Sequence, residues 1–150
     1  MIHFAAGVSS DVGRVRQANQ DQAHIGDRLF AVADGMGGHT GGEVASEVAV
    51  AEVALVDQLD SLDDLVSAVH QANDRVVERS RHDPALRGMG TTLTVLGASG
   101  TARDPRLGVA TVGDSRLYLF RDDEHVKLTE DHSLVEALVR DVRLTRDEAA

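Results

Sequence analysis

Three aspartates, Asp21, Asp34 and Asp114, stand beside glycine or in polar loops at the ends of candidate strands. Carboxylates that adjacent strand ends bring to one rim offer oxygen ligands alone, a donor set that selects magnesium, manganese or calcium over softer metals. Singly, each is an ordinary turn residue. The most informative is Asp34, within the run LFAVADGMGGHTGGE from Leu29 to Glu43. Leu29 to Ala33 is a short continuous apolar run, which predicts a strand buried on both faces and ending on Asp34. A carboxylate there is costly unless something pairs with it. Gly35, Gly37, Gly38, Gly41 and Gly42 free the backbone to take positive φ values and to approach a ligand closely. An Asp-Gly pair alone is a common turn, but five glycines within eight residues cost more conformational entropy than a simple connection needs. The segment therefore reads as a site for a hard cation and a phosphate.

Two further side chains extend that chemistry. Arg16 lies in a polar loop whose other strong cation is Arg14, and a guanidinium can grip two phosphate oxygens at once or simply be solvated. His39, within the glycine loop, can serve as a proton donor or as a turn residue. The other histidines, His3, His24, His70, His82, His125 and His132, share no metal-ligand spacing. No EF-hand consensus occurs, and no G-x-S-x-G; Ser115, in GDSR, precedes a strand rather than a helix.

The elements that must position these residues fit a single domain over residues 1–150. The hydrophobic fraction is 42% with only 3% aromatic residues, so Val, Leu and Ala must fill the interior. The formal net charge of -10 argues against a nucleic-acid partner and suits bound cations. The absence of cysteine removes disulfides, thiolate metal sites and thiol nucleophiles. No leader-like start or stretch of membrane-spanning length occurs, which makes the cytoplasm the expected location.

The spacing predicts a first strand over Ile2–Val8, a polar loop over Ser9–Asp21, and the strand Leu29–Ala33. A helix over Glu43–Leu59 follows, its apolar face broad enough to lie against a sheet. Ser61 and Asp64 form a capping box that opens a second helix to about Arg81, ended by Asp83 ahead of Pro84. The period then changes to that of short strands: Thr91–Leu96, Leu107–Val112, Arg116–Arg121 and Glu124–Leu128. Hairpin connections are expected at Gly113–Ser115 and at Arg121–Glu124. Ser133–Val139 reads as a further helix, and Thr145 with Glu148 as the cap of another that stops as it starts, so the C-terminus reads as truncated. This is an α+β pattern, two successive helices covering one face of a largely antiparallel sheet.

The motifs SSDVGRVRQANQD, LFAVADGMGGHTGGEVAS, GMGTTLTVL, VGDSRLYLFRDDE and LTEDHSLV stand in an order that resembles the bacterial metal-dependent protein phosphatases of the 2C type. The resemblance runs from about Ala6 to Glu148 and is to the actinobacterial-like members that oppose Ser/Thr kinases. It implies a four-layer α-β-β-α sandwich with mostly antiparallel sheets, of which this chain would lack the C-terminal half. It implies two Mn or Mg ions, with Asp34 bridging them, the Gly35 carbonyl completing one shell, Asp21 supporting metal-bound water, and Asp114 at a looser third site. Arg16 would position the phosphate and His39 would be the general acid. The partners implied are phospho-Ser/Thr proteins, including Ser/Thr kinases and their substrates.

Two departures qualify the resemblance. Gln20 stands where many members have Glu, and two further metal-binding aspartates of the family belong to a C-terminal half that lies beyond Ala150. Weak metal binding and little phosphatase activity are therefore expected of the 150-residue chain by itself. The alternatives are a degenerate phosphatase that binds a phosphoprotein without hydrolysing it, and a homo-oligomer that completes its sheets by pairing unfilled edges.

Overall fold

A computed structural model describes residues 3–37, 40–56, 59–101 and 103–132. Strand β1 (Asp21–Ile25) and strand β2 (Leu29–Met36) are followed by helix α1 (Gly41–Val53) and helix α2 (Leu62–His82). A short 3-10 turn, Pro84–Leu86, leads to β3 (Gly90–Thr91), β4 (Leu93–Gly100), β5 (Pro105–Val112), β6 (Tyr118–Arg121) and β7 (Glu124–Lys127). The first sheet has the order β1-β2-β4-β5, with β3 also on β2, and β6-β7 form a separate two-stranded sheet. Among the described residues every pairing is antiparallel. The expected α+β arrangement, a helix pair over one face of an antiparallel sheet, is what forms.

The core lies between that face and the helices. Leu29, Ala31, Ala33, Leu93 and Val95 from the sheet cluster with Ala45, Ala49, Val53, Leu65, Val69, Ala72 and Val76 from the helices. The α2 cap is as expected: the Ser61 hydroxyl accepts from the Asp64 amide while the Asp64 carboxylate accepts from the Ser61 amide. Both satisfy amides that a helix start leaves unpaired. Asp83 caps the far end ahead of Pro84.

Several expectations need correction. Residues 3–8 form no strand; Phe4 instead meets the Phe30 ring edge-on at 5.1 Å. Ala6, Gly7 and Val8 line, with Ala23, Ile25 and Val32, a cavity of about 290 Å³ on the sheet face away from the helices. The segment's apolar residues are used to cover that face rather than to extend a ladder. The strand β1 was hidden by its polar alternate residues Gln22 and His24, because pairing with β2, not an apolar pattern, makes it a strand. Helix α1 begins at Gly41 and ends at Val53, earlier than Leu59, tightening through Leu55 N to Glu52 O at 3.2 Å and Val56 N to Val53 O at 3.2 Å. Leu59 is buried all the same, as part of the connection.

Gly113–Ser115 does not close a hairpin, since β5 and β6 belong to different sheets. The Arg121–Glu124 connection does: Asp122 and Asp123 take φ values of 52° and 64°, the two successive left-handed residues of a type I′ turn. The helices expected at Ser133–Val139 and after Thr145 lie outside the described residues. Among the described residues no helix is long and apolar enough to cross a membrane.

Candidate active site

Antiparallel pairing sets Asp21 of β1 opposite Asp34 of β2, which turns both carboxylates to the same face of the sheet. Strand β2 does not stop at Asp34. Gly35 and Met36 continue it, paired with Thr91 and Gly90 of β3. Nor is it buried on both faces as its apolar run suggested: burial alternates along it, with Ala33 buried at 3% exposure and Val32 48% exposed. Asp34 is on the exposed side, so its carboxylate is open to a ligand while its backbone is held. Its amide donates to Thr92 Oγ1 at 3.0 Å, and its carbonyl accepts from Thr92 N at 2.9 Å and from Thr91 Oγ1 at 3.0 Å.

The glycines act mainly by letting backbones approach. A Cβ on Gly35 would collide with the Gly42 carbonyl, and one on Gly42 with the Gln20 side-chain amide. The first turn of α1 can therefore lie directly on the strand that carries Asp34. Within this loop only Gly37, at φ 144°, takes a positive φ among the described residues, so the expectation of several left-handed glycines gives way to one of close packing. The Gln20 carbonyl joins the layers, accepting from Gly35 N at 3.1 Å and from Ser46 Oγ at 2.6 Å.

Asp21 is oriented by a small network that sequence reading missed. Its Oδ2 accepts from Ser10 Oγ at 3.1 Å, its amide donates to Asn19 Oδ1 at 3.0 Å, and Asn19 Nδ2 donates to Ser10 Oγ at 2.7 Å. Asp114 lies in the connection between β5 and β6. Its neighbour Ser115 shares a hydroxyl hydrogen bond with Thr92 Oγ1 at 2.7 Å. One threonine hydroxyl thus ties the backbone of Asp34 to the loop of Asp114. The signal for Thr92 was present in GMGTTLTVL, but a threonine in a strand pattern reads as β-propensity alone.

Electrostatics place these groups in one field. Asp34 is solvent-accessible, yet its carboxyl is raised above the ordinary carboxylate range. Partial desolvation is the largest cause, followed by the charge of Asp21; Arg16 opposes it, while a hydrogen bond with Asp21 and the charge of Asp114 add to it. The structure therefore sets Asp21 against Asp34, with Arg16 and Asp114, from separate segments, near enough to act on the Asp34 charge. Beside them is a cleft of about 450 Å³ lined in part by Ser10, Asp21, Asp34 and Ser115. His39 and Gly38 lie outside the described residues.

Facing carboxylates, one of them with a raised proton affinity, are the donor chemistry a hard divalent cation satisfies. Among the described residues, however, no three His, Asp or Glu side chains gather tightly enough to enclose an ion by themselves. What these residues fit is part of a coordination shell.

Residues 6–137 match the family described as Protein phosphatase 2C. The chain belongs to the protein phosphatase 2C family. This phosphatase 2C chain is 43% identical over 153 aligned residues to the serine/threonine protein phosphatase PstP of Mycobacterium tuberculosis, an alignment covering 99% of this chain and 29% of PstP. It is 39% identical to the protein phosphatase PhpP of Streptococcus pneumoniae, over 93% of this chain and 60% of PhpP. A crystal structure of the PstP catalytic domain in complex with two manganese ions superposes with a TM-score of 0.82 at 43% identity, covering 94% of this chain and 61% of that one. The phosphatase 2C chain thus spans under a third of PstP and about three-fifths of PhpP.

Proposed function

We propose that this chain carries one wall of the active site of a metal-dependent protein serine/threonine phosphatase, within a single domain of the 2C type. The observation that carries the reading is the pairing of Asp21 with Asp34 on one acidic cleft that Ser115 of the Asp114 loop also lines, with the Asp34 carboxyl raised by partial desolvation and by the charge of Asp21. The names of PstP and PhpP and the two manganese ions of the PstP structure support it. The substrates are phosphoserine and phosphothreonine proteins, the products of Ser/Thr kinases, and the cytoplasm is the compartment in which the reading has the chain act.

In this reading the Asp34 carboxylate and the Gly35 carbonyl hold Mn or Mg, Asp21 contributes through water, and Asp114 serves a looser site. A bound ion supplies Lewis acidity, lowering the pKa of water and neutralising phosphoryl charge. The chain's own residues do the rest. Arg16 grips the phosphate oxygens and sets the phosphorus in line for attack. Ser10 and Asn19 hold Asp21 ready as an acceptor, so little reorganisation is needed when substrate arrives. His39 donates a proton to the departing seryl or threonyl oxygen.

The site is tested by adding Mn2+ to the labelled chain and following amide signals by nuclear magnetic resonance. Selective broadening at Asp21, Asp34 and Gly35 that Asp34→Asn abolishes is the expected result; uniform broadening unaffected by Asp34→Asn overturns it. The reaction is tested with a phosphothreonine peptide. Mn-dependent phosphate release lost in Asp34→Asn supports hydrolysis, and release unchanged by that substitution counts against it. The incomplete carboxylate cluster among the described residues favours one second reading, a phosphoprotein-binding role. Peptide binding without any phosphate release would select it.

A further inference from the structure

Residues 128–132 are stitched along residues 113–117. Leu128 N donates to Leu117 O at 2.8 Å, Leu117 N to Thr129 Oγ1 at 3.1 Å, and His132 N to Gly113 O at 2.8 Å. Within this seam Asp131 is only 6% exposed. Its Oδ2 accepts from Arg116 Nε at 3.0 Å and Nη2 at 2.7 Å, and its Oδ1 accepts from Lys127 Nζ at 2.6 Å. A carboxylate so largely covered needs its oxygens engaged, and both are. With two cations already on it, Asp131 is not a further ligand for a metal ion.

The ion cluster instead acts on the neighbouring loop. Arg116 follows Asp114 by two residues, and the same loop is held from the other side by Thr92 Oγ1 on Ser115 Oγ at 2.7 Å and Thr94 Oγ1 on the Ser115 carbonyl at 3.4 Å. Gly113, at φ 101°, sits flush on Thr92, where an added Cβ would come within 2.7 Å of the threonine methyl. The loop of Asp114 is thus gripped between strand β4 and the Asp131 cluster.

The geometry points to Asp131 as a positioning residue: by clamping Arg116 against the seam, it holds the Gly113–Ser115 loop on Thr92 and so keeps the Asp114 loop at the cleft that Ser115 and Asp34 line. The functional half of this inference rests on the reading of Asp114 as a metal ligand, whereas the clamp itself does not. Asp131→Asn preserves shape while leaving Arg116 and Lys127 without a counter-charge. It is expected to quench the proton contact between Gly113 Hα and the Thr92 methyl in the metal-free chain. Amide exchange at Leu117 and His132, which donate across the seam, should speed up roughly tenfold while core amides such as Val95 stay protected, as expected for loss of a charge-assisted bond.

The readout that separates positioning from mere stability is the ratio of Mn2+ broadening at Asp114 and Ser115 to that at Gly35. It should fall several-fold in Asp131→Asn, with the Gly35 signal still broadened. A ratio unchanged from the parent, or a retained Gly113–Thr92 contact, overturns the proposal. If the parent shows no broadening at Gly35, the reading of the metal site fails, and the Gly113–Thr92 contact still decides the clamp. Should Asp131→Asn unfold the chain, Arg116→Lys decides. It keeps the charge but loses the two-donor grip, so a fully retained contact in that variant overturns the clamp.

Discussion

Strand β2 turns Leu29, Ala31, Ala33 and Gly35 toward the helices and Phe30, Val32 and Asp34 away from them. On the helix side the side chains are small and buried, and Gly35 has no room for even a methyl group against Gly42. On the other side Val32 is 48% exposed, and Asp34 looks onto a cleft with Asp21. The contrast teaches that the period of two assigns stability to one face and chemistry to the other, using adjacent residues of one strand. The packed face fixes the backbone position of Asp34, and the open face leaves its carboxylate accessible to a ligand.

Substitutions on the two faces should therefore behave differently. The largest effect is expected at Gly35→Ala, where the new methyl meets helix backbone that cannot yield; a loss of about 3 kcal/mol or more in urea unfolding is predicted. A near-neutral result would mean that α1 can slide off the strand. Next is Val95→Ala on β4, fully buried on the same side, with an expected loss of about 2 kcal/mol by the same measurement. Ser61→Ala removes the cap that anchors the second helix of the packed layer, and should cost about 1 kcal/mol. On the open face, Val32→Thr should change stability by no more than about 0.5 kcal/mol; a loss matching that of Val95→Ala would show that both faces are packed in solution.

The smallest effect, and the one specific to the chemical face, is a pH slope. Because the Asp34 carboxyl is raised in the folded chain, it binds its proton more tightly there than in the unfolded chain. Metal-free stability should decline as pH rises from the ordinary carboxylate range through the raised value of Asp34, and level off above it. Unfolding measured across that window in Asp34→Asn should lack this component. An identical slope in both proteins would show that neither desolvation nor the charge of Asp21 raises the Asp34 carboxyl.

Short-range signals carried much of the fold. Ser61 and Asp64 are three residues apart and announced α2 correctly, and Asp122-Asp123 marked its hairpin, because caps and tight turns are made by residues adjacent in the chain. The acidic residues beside glycine were equally visible, since an aspartate next to a run of glycines is unusual in any simple connection. By itself, then, the sequence determined the helix pair, the strand-rich second half, and the candidacy of Arg16, Asp21, Asp34 and Asp114.

Tertiary structure alone decided what those residues meet. That Asp21 stands across from Asp34 follows from the register of β1, a strand with no apolar signature of its own. That Thr92 joins Asp34 to the Asp114 loop, and that Asp131 secures Arg116, depends on contacts between residues 58 and 15 positions apart. The pleat also chose which face of β2 would be open, which a continuous run of five apolar residues does not encode. A pattern along the chain records the demands of its neighbours in sequence; pairing, register and burial are set by partners that only folding brings near.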